Sequence, residues 1–119
     1  MKYLLQLRYP PGTGPSEGTP ELDAEMAEWG KVHTALEESG ALVTAMGLEP
    51  DEASTTLRNR NGERVVTDGP YAEAKETLFS FYVIDVADLD AALGWAARMP
   101  NAEYGSVEVR PLSPFEQQS

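Results

Sequence analysis

The chain has 119 residues, of which 41% are hydrophobic and 24% are charged. Its 9 basic and 20 acidic side chains give a net charge of −11, which disfavours direct binding to nucleic acid or to an anionic membrane surface. With no cysteine and one histidine, disulfides, thiolate chemistry and multi-histidine metal sites within one chain are excluded. We expect one domain over residues 1–119, and a cytoplasmic location because neither a membrane-spanning run nor a secretory signal is present.

The first half of the chain predicts a strand, a helix and a second strand. Residues 2–8 are rich in strand formers, and residues 10–20 form a loop rich in proline and glycine. Thr19 can cap a helix that begins at Pro20, and Gly40 can end it in a left-handed conformation. The apolar residues of this helix recur at spacings of three and four: Leu22, Met26, Trp29, Val32 or His33, and Leu36. Residues 41–48 then predict a buried or half-buried strand.

The second half predicts a hairpin followed by strand, helix and strand. Asn61-Gly62 lies between strand-forming runs at 54–60 and 63–67, which is the strongest short hairpin signal. Asp68-Gly69-Pro70 ends the hairpin as a turn. The remaining elements are a strand at 78–86 rich in aromatic and β-branched residues, a helix capped by Asp88, and a last strand at 107–110.

This order is β-α-β, an inserted hairpin, then β-α-β, which predicts an α+β, ferredoxin-like antiparallel sheet with two helices on one face. Such a sheet leaves its other face uncovered, so we predict a homodimer that packs sheet on sheet. Alternation along strand 78–86 places mostly apolar residues on both faces, as a strand buried on both faces requires. One face would carry Leu78, Ser80, Tyr82 and Ile84, and the other Phe79, Phe81, Val83 and Asp85.

The most distinctive segment is Asp68-Gly69-Pro70-Tyr71 followed by Ala-Glu-Ala-Lys75-Glu76. Asp68 can accept hydrogen bonds from its own turn, Gly69 permits an unusual dihedral, and Pro70 fixes the next one. One interpretation is a rigid connector with solvated charges. Another is a turn that directs Asp68 and Tyr71 into a cleft, where the carboxylate serves as base or ligand acceptor. A third is a contact between the two copies of a dimer.

Asp-Gly-Pro, an aromatic residue and Ala-Glu-x-Lys-Glu together resemble the signature of DGPF-type proteins within the YCII-related family. Residues 1–5, 40–42, 47–48, 81–86, 88–98 and 107–111 agree with the same family, so the resemblance covers nearly the whole chain. It implies a dimeric α+β barrel of ferredoxin-like subunits and no established reaction. It also implies a regulatory link to extracytoplasmic-function sigma factors, which family members often accompany.

The resemblance also suggests site residues. The broader family has been thought to use a His–Asp pair with the histidine on the first helix; Asp68 matches the acid, and His33 lies on that helix. Tyr71 replaces the usual Phe and adds a hydroxyl that needs a partner if buried.

The individual side chains leave alternatives open. His33 is interpreted either as a core or rim residue bonded to a neighbour, or as a general acid or base, since histidine titrates near neutral pH. Arg8 ends the first strand and Arg110 the last; each could hold an anionic ligand or form a plain salt bridge. Tyr71 and Lys75 complete the candidate ligand-binding set.

Two classes of function follow, besides a purely structural dimer. The leading hypothesis is a small-ligand binding protein or a cofactor-free acid/base enzyme, with a pocket between helix and sheet near Asp68. Asp68 would be the base and His33 the acid or orienting group. We expect no cofactor, because no glycine-rich phosphate loop or metal-ligand set is present. The alternative is a non-catalytic regulatory partner of a sigma factor.

Overall fold

The computed structural model describes residues 1–70 and 75–114. Along these ranges the strands and helices are β1 (Lys2–Tyr9), α1 (Pro20–Ser39), β2 (Leu42–Gly47), β3 (Thr55–Arg60), β4 (Glu63–Asp68), β5 (Thr77–Asp85), α2 (Leu89–Ala96) and β6 (Ser106–Pro111). Short 3₁₀ turns occupy Asp51–Ala53 and Pro100–Glu103. In the part of the chain described, no helix is both long enough and apolar enough to cross a membrane.

The main sheet has four strands in the order β2-β5-β1-β6, and all its neighbours pair antiparallel. Strands β3 and β4 form a separate two-stranded sheet. With this hairpin set aside, the strand order is that of a ferredoxin-like fold, as predicted. The α+β class and the inserted hairpin are therefore both confirmed.

The ends of the helices follow from capping chemistry. The Thr19 hydroxyl accepts a hydrogen bond from the Leu22 N–H at 3.2 Å, and the Asp88 carboxylate accepts from the Ala91 N–H at 2.9 Å. Gly40 ends α1 with a φ of 78°. The hairpin turn likewise has positive φ at both central residues, 52° at Asn61 and 80° at Gly62.

The core lies between one face of the main sheet and both helices. On β1 the alternate residues Tyr3, Leu5 and Leu7 are buried, because successive strand side chains point to opposite faces. The residues that meet them are mostly small or branched: Val32, Leu36, Tyr82, Ile84, Ala92, Ala96 and Met99. The predicted apolar stripe of α1 is wrong at Met26, which is 58% exposed and lines a surface pocket instead of joining the core.

A β-bulge changes the predicted faces of β5. Leu7 pairs with Ser80, but the next residue, Arg8, pairs with Leu78, so Phe79 is the extra residue. Its ring lies 6.1 Å from that of Trp29 on α1, which places it on the helix side of the sheet. The predicted alternation is therefore wrong at Phe79 and at Leu78, which shares the face of its partner Arg8, because sequence periodicity does not reveal a bulge.

The turn before β6 is held tightly against the end of β1. The Asn101 side chain is fully buried, and its Nδ2 donates to the backbone oxygens of Arg8 at 2.9 Å and Ser106 at 3.0 Å. A Cβ added to Gly105 would lie 2.0 Å from the Arg8 carbonyl oxygen. Only glycine permits this approach of two backbones.

We therefore expect Gly105→Ala to lower the free energy of unfolding by about 3 kcal/mol or more, because two backbone segments must move apart. Urea unfolding measures the change. Gly94→Ala is the matched control: nothing lies within 4 Å of its added Cβ, and alanine in a helix is favoured by about 1 kcal/mol. Equal stability of Gly105→Ala and the wild type would contradict the close approach.

Candidate functional site

The turn that carries Asp68 is ordered by its neighbours. Gly69 has a φ of 100°, donates its N–H to the Ser54 oxygen at 2.7 Å and accepts from the Thr56 hydroxyl at 3.0 Å. The unusual dihedral predicted for Gly69 is thus present. Asp68 ends β4 opposite Thr55 and is exposed.

Two predicted ligand-binding residues follow this turn in the sequence. Tyr71 lies outside the described residues, so its predicted role remains a prediction. Lys75 opens the second described range and is exposed.

His33 lies half-exposed on α1. Its Nε2 is 3.6 Å from Glu37 Oε1, and its ring is 6.2 Å from that of Tyr82, edge to face. Among the described residues, neither a hydrogen bond nor an ion pair joins His33 to Asp68. An acid/base role for the two residues stays a prediction, and the carboxylate that His33 approaches is that of Glu37.

Arg8 and Arg110 meet at one carboxylate on the face of the sheet away from the helices. Arg8 Nη1 donates to Glu108 Oε1 at 2.8 Å, and Arg110 Nη2 lies 3.7 Å from Glu108 Oε2. The salt-bridge alternative therefore describes both arginines. Their predicted role in holding a ligand remains a prediction.

An aromatic pocket lies where α1 crosses the end of the sheet. Its volume is about 280 Å³, and four aromatic residues line it: Tyr9, Trp29, Phe79 and Tyr104. Phe79 is at the centre of this cluster, with its ring 5.2 Å from that of Tyr9, edge to face. The bulge in β5 is what brings Phe79 to this position. Gly14, with a φ of 82°, leaves room for Tyr104, whose ring would lie 2.8 Å from an added Cβ.

Glu25 is the carboxylate of this pocket. Its Oε1 accepts from the Tyr104 hydroxyl at 2.8 Å, and its Oε2 accepts from Trp29 Nε1 at 3.4 Å. Both donors are neutral groups, and within residues 1–70 and 75–114 no basic side chain forms an ion pair with Glu25. Glu25 is therefore oriented by hydrogen bonds but keeps its negative charge unbalanced.

The electrostatics keep Tyr104 protonated. Burial raises the pKa of Tyr104 well above its ordinary value, and the hydrogen bond to Glu25 raises this pKa further. The phenol is therefore a stable donor at neutral pH and holds the carboxylate in one orientation.

An outer groove continues from the pocket between α1 and the turn at residues 97–104. Its volume is about 650 Å³, and it shares Glu25 and Tyr104 with the aromatic pocket. Three more carboxylates line it, from Glu21, Glu28 and Glu103, with Arg98 the one basic residue of its described lining. Pocket and groove together form one acidic cleft, which we call the Glu25 cleft.

Sequence reasoning missed this site. The sequence pattern places Trp29 in the apolar stripe of the first helix and does not single out Glu25. Their spacing of four residues does predict that they share a helix face. Nothing in the sequence indicated Tyr104, which lies 79 residues from Glu25 along the chain.

Comparisons with known proteins agree with the fold. A model of the YCII-related domain matches residues 1–116. An uncharacterized protein of Rhizobium meliloti is 44% identical over 93 residues, which cover 76% of this chain and 75% of that protein. Among solved structures, 5-chloro-2-hydroxyhydroquinone dehydrochlorinase from Burkholderia phenoliruptrix, in complex with 2,5-dihydroxybenzoquinone, aligns with a TM-score of 0.50. That alignment covers 95% of this chain and 94% of the other at 14% identity, and it supports the fold alone.

The pKa of Tyr104 predicts how stability depends on alkaline pH. The folded protein keeps this proton above about pH 10, where an unfolded tyrosine loses it. The contribution of Tyr104 to the free energy of unfolding is complete below about pH 10 and is lost as the pH rises further.

Tyr104→Phe should flatten the fall of the unfolding free energy above pH 10, measured by urea unfolding at several pH values. Tyr82, whose pKa burial also raises, stays in both proteins and accounts for a residual slope. Identical slopes in the two proteins would contradict this role of Tyr104.

Proposed function

The chain belongs to the YCII-related family, and we propose that it is a cytoplasmic homodimer that binds a small organic cation in the Glu25 cleft. The observation that carries this proposal is a carboxylate held by Tyr104 and Trp29 without a basic partner among the described residues. A charge kept in this way among aromatic rings is best balanced by a cationic ligand.

The walls of the pocket favour the same class of ligand. The faces of Tyr and Trp rings attract cations electrostatically, and Trp does so most strongly. A volume of about 280 Å³ admits a compact group, and the acidic groove leaves room for a longer substituent. The ligand would thus carry an ammonium or guanidinium group on an apolar or aromatic body. The net charge of −11 would also raise the local concentration of cations.

At this cleft the chemistry favours binding over proton transfer. A phenol with a raised pKa is a weak acid at neutral pH, so Tyr104 is poorly suited to protonate a substrate. The acid/base hypothesis concerns Asp68, at the end of β4, and His33, which lies eight residues after Glu25 on α1 and is not part of the described lining of the cleft. The same ligand screen can compare the two sites, because each contains a carboxylate that can be neutralised without a change of size.

A thermal-shift screen against primary amines, guanidines and quaternary ammonium compounds tests the cleft. We expect hits to stabilise the wild type and to lose about 10-fold or more in affinity with Glu25→Gln, since the ligand's charge partner is removed. Asp68→Asn is the matched control and should leave affinity within twofold. Loss of binding in Asp68→Asn alone would transfer the site to the Asp68 turn, and equal binding by all three proteins would contradict both sites.

The homodimer proposal is supported by the face of the main sheet opposite the helices. Leu4 pairs with Val83, and Gln6 pairs with Phe81, so these residues share one face of the sheet. Three of them are hydrophobic: Leu4 on β1, and Phe81 and Val83 on β5. On β2, Met46 extends this surface and is 59% exposed. A second copy would cover these apolar side chains.

Sedimentation equilibrium at micromolar concentration should give twice the chain mass of 13.0 kDa. Val83→Lys, in the middle of the open face, should weaken the dimer about 10-fold or more by placing a charge in an apolar interface. Leu93→Lys adds the same charge at an exposed position of α2 and should leave the dimer unchanged. A wild-type protein that sediments as a single chain would refute the dimer.

A further inference from the structure

The β3–β4 hairpin stands apart from the rest of the fold. Its strands, Thr55–Arg60 and Glu63–Asp68, pair with each other and with no strand of the main sheet among the described residues. Its base is tied by the hydrogen bond from the Gly69 N–H to the Ser54 oxygen. We call residues 55–68 the hairpin arm.

The hairpin arm exposes apolar surface. Leu57 and Val66 are paired directly across the two strands, and they are 52% and 57% exposed. Val65, on the opposite face of the arm, is 40% exposed. A two-stranded hairpin by itself is only marginally stable in water, so burial of this pair against another surface would stabilise it.

The dimensions of the chain show how far it departs from a compact shape. The radius of gyration is 16.5 Å, whereas a compact chain of this length has about 13.5 Å. The accessible surface is 8056 Å², against about 6,300 Å² for a folded monomer of this mass. The difference, roughly 1,700 Å², exceeds the 800 Å² or so that each partner buries in a standard protein interface.

The distribution of charge favours a second copy of the chain as the partner of the arm. The end of the arm, residues 58–64, holds Arg58, Arg60 and Arg64 with one acid, Glu63, for a net charge of +2. The other 112 residues hold 6 basic and 19 acidic side chains, a net charge of −13. Phosphate polymers are repelled by this larger part, whereas a second copy of the chain presents it as an attractive surface.

From these observations we propose that the hairpin arm packs on a second copy of this chain. Leu57 and Val66 provide the apolar contact, and the arginines at the end of the arm meet the acidic surface of the other copy. Two-fold symmetry would make the exchange mutual, with each copy contributing one arm. The arm thereby gains the packing that two strands lack by themselves.

Matched leucine variants test the apolar contact. Leu57→Gln should raise the dimer dissociation constant about 10-fold, measured by sedimentation, because it removes apolar surface from the interface. Leu93→Gln makes the same change at a leucine that is 48% exposed on α2, and should leave the constant within twofold. Circular dichroism verifies that both variants fold. A Leu57→Gln dimer as tight as the wild type would overturn the proposal.

A charge variant tests the partner's acidity. Arg64→Glu should weaken the dimer at least fivefold at low salt, and the difference should shrink at 1 M salt, where charges are screened beyond about 3 Å. Lys31→Glu makes the same change of charge on α1 and is the control. Equal effects of the two variants, or no change in either, would contradict an arginine contact at the arm.

Hydrogen exchange on the unmodified protein gives an independent readout. Amides of residues 55–68 should be protected above the dimer dissociation constant and exchange faster below it. If Val83→Lys weakens the dimer while Leu57→Gln and Arg64→Glu do not, the arm proposal is overturned and the sheet interface is supported. If the two arm variants weaken the dimer while Val83→Lys does not, the arm proposal is supported and the sheet interface is refuted. Arm exchange that does not depend on protein concentration would overturn the arm proposal.

Discussion

The candidate site depends on the contact between the end of strand β1 and the turn that precedes β6. There the buried Asn101 amide donates both of its hydrogens to backbone oxygens, of Arg8 and Ser106, while Gly105 allows the chain to pass at backbone distance. The Asn101 Oδ1 atom is buried and has no partner among the described residues, which costs about 1–3 kcal/mol. This bridge fixes the segment between Asn101 and Gly105, and hence the position of Tyr104.

Once Tyr104 is fixed, the properties of the cleft follow. A phenol held beside Glu25 orients the carboxylate, and the ring of Tyr104 forms one wall of the aromatic pocket. Neutral donors stabilise the carboxylate without cancelling its charge, so the site keeps an attraction for cations that a salt bridge would remove. The acidic surface around the groove acts over a longer range and brings such ligands to the opening.

The two proposed contacts between copies would each cover a surface that the single chain leaves exposed. Within residues 1–70 and 75–114, both helices lie on one face of the main sheet, and the two strands of the hairpin arm have no further layer packed behind them. On the open face, Glu108 lies between Arg8 and Arg110, and this carboxylate reduces the repulsion that two unpaired arginines would cause there. A second copy satisfies both elements at once, and the Glu25 cleft, on the helix side, would remain accessible to ligand.

Local chemistry in the sequence was enough to determine the architecture of this YCII-related protein. The caps at Thr19 and Asp88, the left-handed Gly40 and the Asn61-Gly62 turn each depend on neighbours within a few residues, so the order of elements could be predicted from them. Tertiary structure alone decided the site. The bulge that turns Phe79 towards α1 arises from the register between β1 and β5, and Glu25 meets Tyr104 only because Asn101 joins distant backbones. The sequence pattern reveals neither the bulge nor the contact between Glu25 and Tyr104, because each depends on residues that are far apart along the chain.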